Sequence, residues 1–245
     1  MPGTWSSVLI ADHPVEFYVP PTVKPALGLL FLHGIGCESL RGNEAYTRLF
    51  DELNLSCFCP MAGPTWWTDR RTAAFDPVLS VEQWLLNDVL SFVHIHHGLT
   101  PPRLGLFGIS MGGQGALRLG FKQPALFPVV AGISSAIEYN LVMYQDRVLD
   151  ELYSSKEQCR QDTALLHINP HTYPPAVWFC CDPTDDPWYR GNDRLHEKLW
   201  ALSIAHEYDL TTQAGGHSWD YFNAMADRTV RFLHRALLEQ SRRLL

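Results

Sequence analysis

Residues 108–112 read Gly-Ile-Ser-Met-Gly and follow an apolar run that is typical of a buried strand. A serine with glycines two positions away on each side has the spacing of a nucleophile elbow, a very sharp turn from a strand into a helix. Such a turn exposes the hydroxyl group at the positive end of the helix, which suits a nucleophile in acyl transfer. The pattern predicts that Ser110 is a nucleophile and that the Met111 amide donates a hydrogen bond to an oxyanion.

A second oxyanion donor is predicted in the segment Leu-His-Gly-Ile-Gly-Cys at residues 32–37, which ends another apolar run. The glycines at positions 34 and 36 allow the chain to turn its amides toward Ser110, as an oxyanion hole requires. We expect the Ile35 amide to be the donor, with the Gly36 amide as the alternative. His33 is expected to fix the loop rather than to take part in chemistry.

The general base must be one of eleven histidines. With a nucleophile elbow the chain order is serine, then acid, then histidine, so the base is expected late in the chain. His217 lies in the segment Gly-Gly-His-Ser-Trp, a predicted loop that would carry the imidazole over Ser110. The histidines at positions 94, 96 and 97 end a predicted helix, where they can bind the last carbonyls, and no metal site is predicted.

The acid that orients the base is expected in the segment Asp-Pro-Thr-Asp-Asp-Pro-Trp at residues 182–188, after a predicted strand. A carboxylate there would hold the imidazole in the required tautomer and stabilise its cation. Asp182, Asp185 and Asp186 all lie in this segment, and aspartates are also common turn residues. The residues alone do not choose among the three.

Four tryptophans fall in loops that are expected near the carboxyl ends of the strands, where sites of α/β proteins form. They are Trp66, Trp67, Trp188 and Trp219. They are candidates for an aromatic substrate pocket, and packing of the loops onto the sheet is the alternative for each. Trp188 and Trp219 are the better pocket candidates because they adjoin the acid and base segments.

The elements that must position these residues alternate between apolar strand patterns and helical patterns. Strands are expected at 8–10, 15–19, 26–32, 56–60, 103–108, 129–134, 176–181 and 206–212. Helices are expected at 43–53, from a capping box at Ser80 to 97, from the serine to 123, within 138–166, at 192–202 and at 220–238. This alternation predicts an α/β fold with one doubly wound, mostly parallel sheet and helices on both faces, in a single domain of residues 1–245.

The composition and charge of the chain indicate which partners and which compartment to expect. The chain has 245 residues and a net charge of −7, with no cluster of lysine and arginine, so nucleic-acid binding is not predicted. Neither a signal peptide nor an apolar run of membrane-spanning length is found, so no membrane association is predicted. Six cysteines without paired zinc spacing are expected to be reduced thiols in a cytoplasmic protein. The oligomeric state is not predicted.

These motifs resemble the esterase D-like branch of the α/β-hydrolases, which includes S-formylglutathione hydrolases, feruloyl esterases and mycolyltransferases. The resemblance rests on LHGIGC, GISMGG, PTDDPW and GGHSW, in the family's order, and spans about residues 26 to 235. In the family the acid stands in a Gly-x-x-Asp pattern, which residues 183–186 fit with proline in the first position. The resemblance therefore implies Ser110, Asp186 and His217 as the catalytic residues, with Asp185 and then Asp182 as alternative acids.

The activity that the resemblance implies is that of a serine carboxylesterase, which hydrolyses small or aryl esters through an acyl-enzyme on Ser110. The substrate would be a small-molecule ester, and neither a metal nor an organic cofactor is expected. The alternatives are an acyltransferase, a thioesterase similar to S-formylglutathione hydrolase, and a binding protein that has kept the fold without activity. Intact Ser110 and His217 motifs argue against the last of these.

Overall fold

One eight-stranded sheet organises the protein, as seen in a computed structural model that describes residues 2–21 and 26–242. The strands are β1 (Thr4–Ile10), β2 (His13–Val19), β3 (Leu27–Leu32), β4 (Leu55–Pro60), β5 (Leu104–Ile109), β6 (Val129–Ile133), β7 (Ala176–Cys180) and β8 (Glu207–Asp209). Their order across the sheet is β1-β2-β4-β3-β5-β6-β7-β8. The pairs from β4 to β8 are parallel, and β1 and β2 are added antiparallel at one edge.

Helices connect the strands and flank the sheet. They are α1 (Glu44–Glu52), α2 (Val81–Trp84), the π-helical turn Leu85–Val89, α3 (Leu90–His97), α4 (Met111–Lys122), the 3₁₀ turn Tyr139–Val142, α5 (Arg147–Leu152), α6 (Lys156–Gln161), α7 (Ala164–His167), α8 (Tyr189–Ala201), α9 (Trp219–Ala224) and α10 (Ala226–Arg242). The buried residues of α1, α9 and α10 form the core on one face of the sheet. Those of α2 to α8 form the core on the other face.

The central strands are buried along their whole length, which explains their continuous apolar sequences. Every residue of β3, β4, β5 and β6 is buried, because helices cover both faces of the sheet. The parallel register pairs Leu32 at the end of β3 with Gly108 in β5. The loop after β3 and the elbow after β5 therefore leave the sheet side by side, and this brings the two predicted oxyanion segments together.

Several elements differ from the sequence prediction, among them the last strand and the last helix. The last strand ends at Asp209, not at 212, because the Asp209 carboxylate accepts hydrogen bonds from the amides of Thr211 and Thr212 and turns the chain away. The predicted helix over 220–238 is two helices with a break at Met225, and the first of them carries Phe222 to the site described below. The predicted cap is present: Ser80 Oγ accepts from the Gln83 amide at 3.2 Å.

All eight strands join one sheet in the described part of the chain. The single domain over residues 1–245 stays a prediction. Within residues 2–21 and 26–242, no helix has both the length and the apolar character to cross a membrane.

Candidate active site

Ser110 stands at the elbow between β5 and α4 in a strained backbone conformation. Its φ is 56° and its ψ is −118°, a region that residues with a side chain seldom occupy. The Ser110 amide donates to Ile133 O at 2.9 Å, and the Ser110 carbonyl accepts from the amides of Gln114 and Ala136 at 3.1 Å each. These bonds to β6, to α4 and to the loop after β6 hold the strained residue in place.

The glycines on each side of Ser110 are required by close contacts. A Cβ atom on Gly108 would lie 2.3 Å from the backbone of Gly112, and a Cβ on Gly112 would lie 1.9 Å from Leu32 O. Both distances are far below a van der Waals contact, so no other residue fits without displacing the backbone of β3 or α4. The G-x-S-x-G pattern is thus explained by steric demand at the elbow.

A chain of two hydrogen bonds joins Ser110, His217 and Asp185. Ser110 Oγ lies 2.9 Å from His217 Nε2, and His217 Nδ1 lies 2.8 Å from Asp185 Oδ2. Since the carboxylate can only accept, Nδ1 carries the proton and Nε2 is free to accept from the serine hydroxyl. The Asp185 side chain is 0% exposed, while that of His217 is 32% exposed. An imidazole in this tautomer, open on one side, can move a proton between the serine and a group arriving from solvent.

The acid facing His217 is Asp185, and the expectation of Asp186 is wrong. A tight turn closed by a 2.9 Å bond from the Asp185 amide to Asp182 O directs Asp185 inward, and the side chain of Asp186 is exposed. Cys181 Sγ lies 3.5 Å from Asp185 Oδ2. Burial and the neighbouring carboxylate strongly raise the pKa of the Cys181 thiol, so it remains protonated as a weak donor to Asp185.

Asp182, the other alternative acid, connects the acid segment to the base segment. Its Oδ2 accepts from the amides of Ala214 at 2.7 Å and Gly216 at 2.9 Å, and its Oδ1 accepts from the amide and hydroxyl of Thr184. Burial alone would raise the pKa of Asp182, but these hydrogen bonds outweigh it and lower the pKa to about 2. The side chain is therefore an ionised brace that positions the loop before His217.

The predicted oxyanion donors lie on either side of the serine. Met111 is the first residue of α4, and the first amides of a helix have no partner within it. Residues 34–37 form a turn closed by a 3.0 Å bond from the Cys37 amide to Gly34 O, which leaves the amides of the central residues Ile35 and Gly36 outside that bond. A Cβ on Gly34 would lie 3.4 Å from Ser110 Cβ, so this turn lies directly against the nucleophile.

His33 holds this turn in place, as expected. Its Nε2 accepts from the Ala62 amide at 3.0 Å, so Nδ1 is the protonated nitrogen and donates to Gly34 O at 2.8 Å. Burial lowers the pKa of His33, which keeps the ring neutral and preserves this pattern of one donor and one acceptor. Both nitrogens are occupied by backbone groups, so the ring acts as a spacer between two loops.

A small cavity of about 160 Å³ opens beside Ser110. Its base consists of the buried apolar side chains of Phe31, Ile109 and Phe222, and Ile35 and Trp219 line its mouth. Of the four tryptophans predicted for a pocket, Trp219 lies in this cavity. Its indole packs edge-on against Phe222, with ring centroids 5.5 Å apart.

The structure does not bring the other three tryptophans to this cavity. Trp66 and Trp67 are buried; the indole nitrogen of Trp66 donates to Asp146, and that of Trp67 donates to His33 O. Trp188 is half-buried against the core that α2 to α8 form with the sheet. These three tryptophans pack loops against the rest of the protein, which is the alternative to a role in a substrate pocket.

The sequence prediction missed Glu38 and the three apolar residues at the base of the cavity, Phe31, Ile109 and Phe222. Glu38, one residue beyond the oxyanion segment, lines the cavity and accepts a hydrogen bond from the Trp219 indole across 181 residues of chain. A single exposed glutamate in a loop carries no local signal for such a contact. Over residues 2–21 and 26–242, no group of three or more His, Cys, Asp or Glu side chains is arranged to hold a metal ion.

The sheet, the elbow and the helices on both faces define the fold of an α/β-hydrolase with a serine nucleophile. The sequence profile of the family described as "Putative esterase" matches residues 73–233, well over half of the chain. The chain therefore belongs to this esterase family and is a serine carboxylic ester hydrolase. No curated protein matches the chain at the level of sequence.

Solved structures share the fold over nearly the whole chain. The fluorophosphonate-binding serine hydrolase FphF of Staphylococcus aureus superposes with a TM-score of 0.80 at 18% identity, covering 96% of this chain and 99% of that one. An S-formylglutathione hydrolase of Agrobacterium tumefaciens gives 0.81 at 16% identity, with 96% and 94% covered. A ferulic acid esterase gives 0.72 at 15% identity, with 96% and 98% covered. The predicted fold class and the predicted resemblance to α/β-hydrolase serine esterases are confirmed.

Proposed function

We propose that this esterase hydrolyses small or aryl carboxylic esters through an acyl-enzyme on Ser110, with His217 as the base and Asp185 as the acid. The observation that carries the proposal is the unbroken chain of hydrogen bonds from Ser110 Oγ through the imidazole to the buried Asp185 carboxylate, at 2.9 and 2.8 Å. A nucleophile, its base and an orienting acid in this order are the components of acyl transfer by serine.

In the first half of the reaction, His217 Nε2 accepts the Ser110 proton as Oγ attacks the carbonyl carbon of the ester. The carbonyl oxygen becomes an oxyanion and accepts hydrogen bonds from the amide of Met111 and from that of Ile35, with Gly36 as the alternative donor. The Asp185 carboxylate stabilises the imidazolium that forms. The C–O bond to the alcohol then breaks, and His217 donates its proton to the departing alkoxide.

In the second half, a water molecule enters on the open side of His217, which takes one of its protons. The hydroxide attacks the acyl carbon, the bond to Ser110 Oγ breaks, and the proton returns to the serine as the carboxylic acid leaves. Every proton in this cycle moves between Ser110, His217 and the substrates. The partner of the protein in this proposal is a small-molecule ester.

A cytoplasmic location is part of the proposal. All six cysteines are free thiols, and five of them are buried. Buried, unpaired cysteines are typical of a reducing compartment.

The test is hydrolysis of p-nitrophenyl esters from acetate to decanoate by the wild type and by Ser110→Ala, together with labelling by a fluorophosphonate probe. The proposal expects turnover and labelling that both depend on Ser110. Equal turnover by the two proteins would contradict the assignment of the nucleophile. A folded wild type that neither hydrolyses these esters nor takes up the probe would contradict the proposed function.

A further inference from the structure

Two hollows meet at the active site and share one wall. The first is the 160 Å³ cavity beside Ser110. The second is an open groove of about 680 Å³ between the segment 38–45 and α9, with Asn223 at its α9 side. Glu38 and Trp219 line both hollows. These two side chains therefore stand between the confined space at the nucleophile and a much larger space outside it.

A hydrogen bond and a ring contact hold Glu38 and Trp219, which form this wall, in place. The Trp219 indole N–H donates to the Glu38 carboxylate, which ties α9 to the end of the oxyanion loop. The Trp219 ring packs edge-on against Phe222 at an interplanar angle of 76°. Phe222 is itself anchored, because Tyr46 in α1 donates a 2.8 Å hydrogen bond to its carbonyl. Rotation of the indole out of the wall would have to break the bond to Glu38.

The cavity inside the wall suits the acyl part of an ester. Its base of Phe31, Ile109 and Phe222 is apolar and buried, and the acyl part stays bonded to Ser110 while the alcohol leaves. The departing alcohol needs access to His217, whose side chain is 32% exposed and opens to solvent. The cavity, at about 160 Å³, is much smaller than the groove of about 680 Å³, so it suits a short acyl group.

We propose that the hydrogen-bonded pair Glu38–Trp219 closes the end of the acyl cavity, and that it restricts the enzyme to esters of short acyl groups. Breaking the pair joins the cavity to the groove and admits longer chains. This inference rests on the proposed esterase function of the same site.

The test compares chain-length profiles of kcat/KM for p-nitrophenyl acetate to decanoate. Trp219→Ala removes the wall itself. Trp219→Phe and Glu38→Ala each remove the hydrogen bond and leave the other side chain in place. Trp200→Ala replaces a tryptophan that is 74% exposed on α8 and lines neither hollow, so it is the matched control.

The wild type and Trp200→Ala are expected to peak at butyrate or below. Trp219→Ala is expected to peak at hexanoate or longer, with a gain in kcat/KM over wild type of about fourfold for each added methylene that becomes buried. Trp219→Phe and Glu38→Ala are expected to shift in the same direction by a smaller amount. Their double variant should shift by less than the sum of the two single shifts, because both changes break the same bond.

A Trp219→Ala profile that parallels the wild type would overturn the inference, and so would a wild type that peaks at hexanoate or longer. A shift confined to a series of acetates of longer alcohols would overturn the assignment of the cavity to the acyl part. Failure of the proposed function has a different signature, because wild-type hydrolysis and probe labelling would then be absent or would not depend on Ser110. Fluorophosphonate labelling of each variant shows that its site has folded. If Trp219→Ala does not fold, the smaller changes Trp219→Phe and Glu38→Ala still test the inference.

Discussion

Asp185 accepts a 2.8 Å hydrogen bond from His217, although 32 residues of chain separate the two. The carboxylate is fully buried, and the imidazole is its charge-assisted partner. This pairing fixes which nitrogen of His217 faces Ser110.

The pairing predicts opposite outcomes for two adjacent substitutions. Asp185→Asn should lower kcat by about 10³ to 10⁴-fold, because an amide can favour the tautomer that turns a protonated nitrogen toward the serine. Asp186→Asn removes an exposed carboxylate from the same loop and should leave kcat nearly unchanged. Steady-state kinetics on p-nitrophenyl acetate decide the matter, and a larger fall for Asp186→Asn would restore that residue as the acid.

Ser110 and His217 are expected to act as a unit. Ser110→Ala and His217→Ala should each reduce kcat by on the order of 10⁶-fold, and the double variant should fall no further than the worse single variant. Since each substitution only shortens a side chain at the site, the circular dichroism spectra should match that of the wild type. Additive losses in the double variant would show that the two residues act in separate steps.

The hydrogen bonds that ionised Asp182 accepts predict that the free energy of unfolding depends on pH. The pKa of Asp182 is about 2 in the folded protein, below the value of about 3.9 in an unfolded chain. The stabilisation is therefore fully present above pH 4 and is lost as the pH falls toward 2. Asp182→Asn should lose less of its free energy of unfolding over this window than the wild type, as measured by urea denaturation.

At neutral pH the same variant should be less stable than the wild type by about 1–3 kcal/mol, because its side-chain nitrogen cannot accept and would face either the amides of Ala214 and Gly216 or that of Thr184. Its activity should fall as well, since the loop before His217 loses its anchor. Asp186→Asn is the control, and its stability should follow the wild-type curve. Parallel curves for Asp182→Asn and the wild type would contradict the role of the brace.

The close contacts at the elbow predict that two glycines differ in how much an added Cβ lowers the free energy of unfolding. Gly112→Ala would place a Cβ 1.9 Å from Leu32 O and should lower the free energy of unfolding by 3 kcal/mol or more, toward the upper end of overpacking effects. Gly36→Ala meets nothing closer than 3.9 Å and should change it by less than about 0.5 kcal/mol. Thermal and urea unfolding of the two variants give the comparison.

The sequence predicts the elements of this fold well where a local pattern is strong. The runs that form β3 and β5 are apolar throughout because both faces are covered, and Ser110 is marked by glycines that the elbow requires. The edge strand β1 is underestimated, because its residues are mostly exposed and lack an apolar pattern. His217 is predictable from its position between strand and helix in a glycine-rich loop.

The remaining parts of the site depend on contacts that no local pattern encodes. The choice of Asp185 over Asp186 is made by the turn that the Asp185 amide closes on Asp182. Trp67 is buried because Gly115 leaves room for it; a Cβ on that glycine would lie 2.5 Å from Trp67 Cβ. The contact of Glu38 with Trp219 joins the loop after β3 to α9, which lie 181 residues apart in the chain.

The four hydrogen bonds that Asp182 accepts have a consequence for how this site can diversify. Two of them fix the turn at Thr184 in the acid segment, and the other two join that segment to residues 214–217, which supply the base. The two loops therefore form one structural unit. An insertion in either loop alone would separate the Asp182 carboxylate from the amides of Ala214 and Gly216 and so remove the anchor of the loop before His217. Grafting new specificity onto this scaffold, by evolution or by a designer, therefore has to transplant both loops together or leave both untouched.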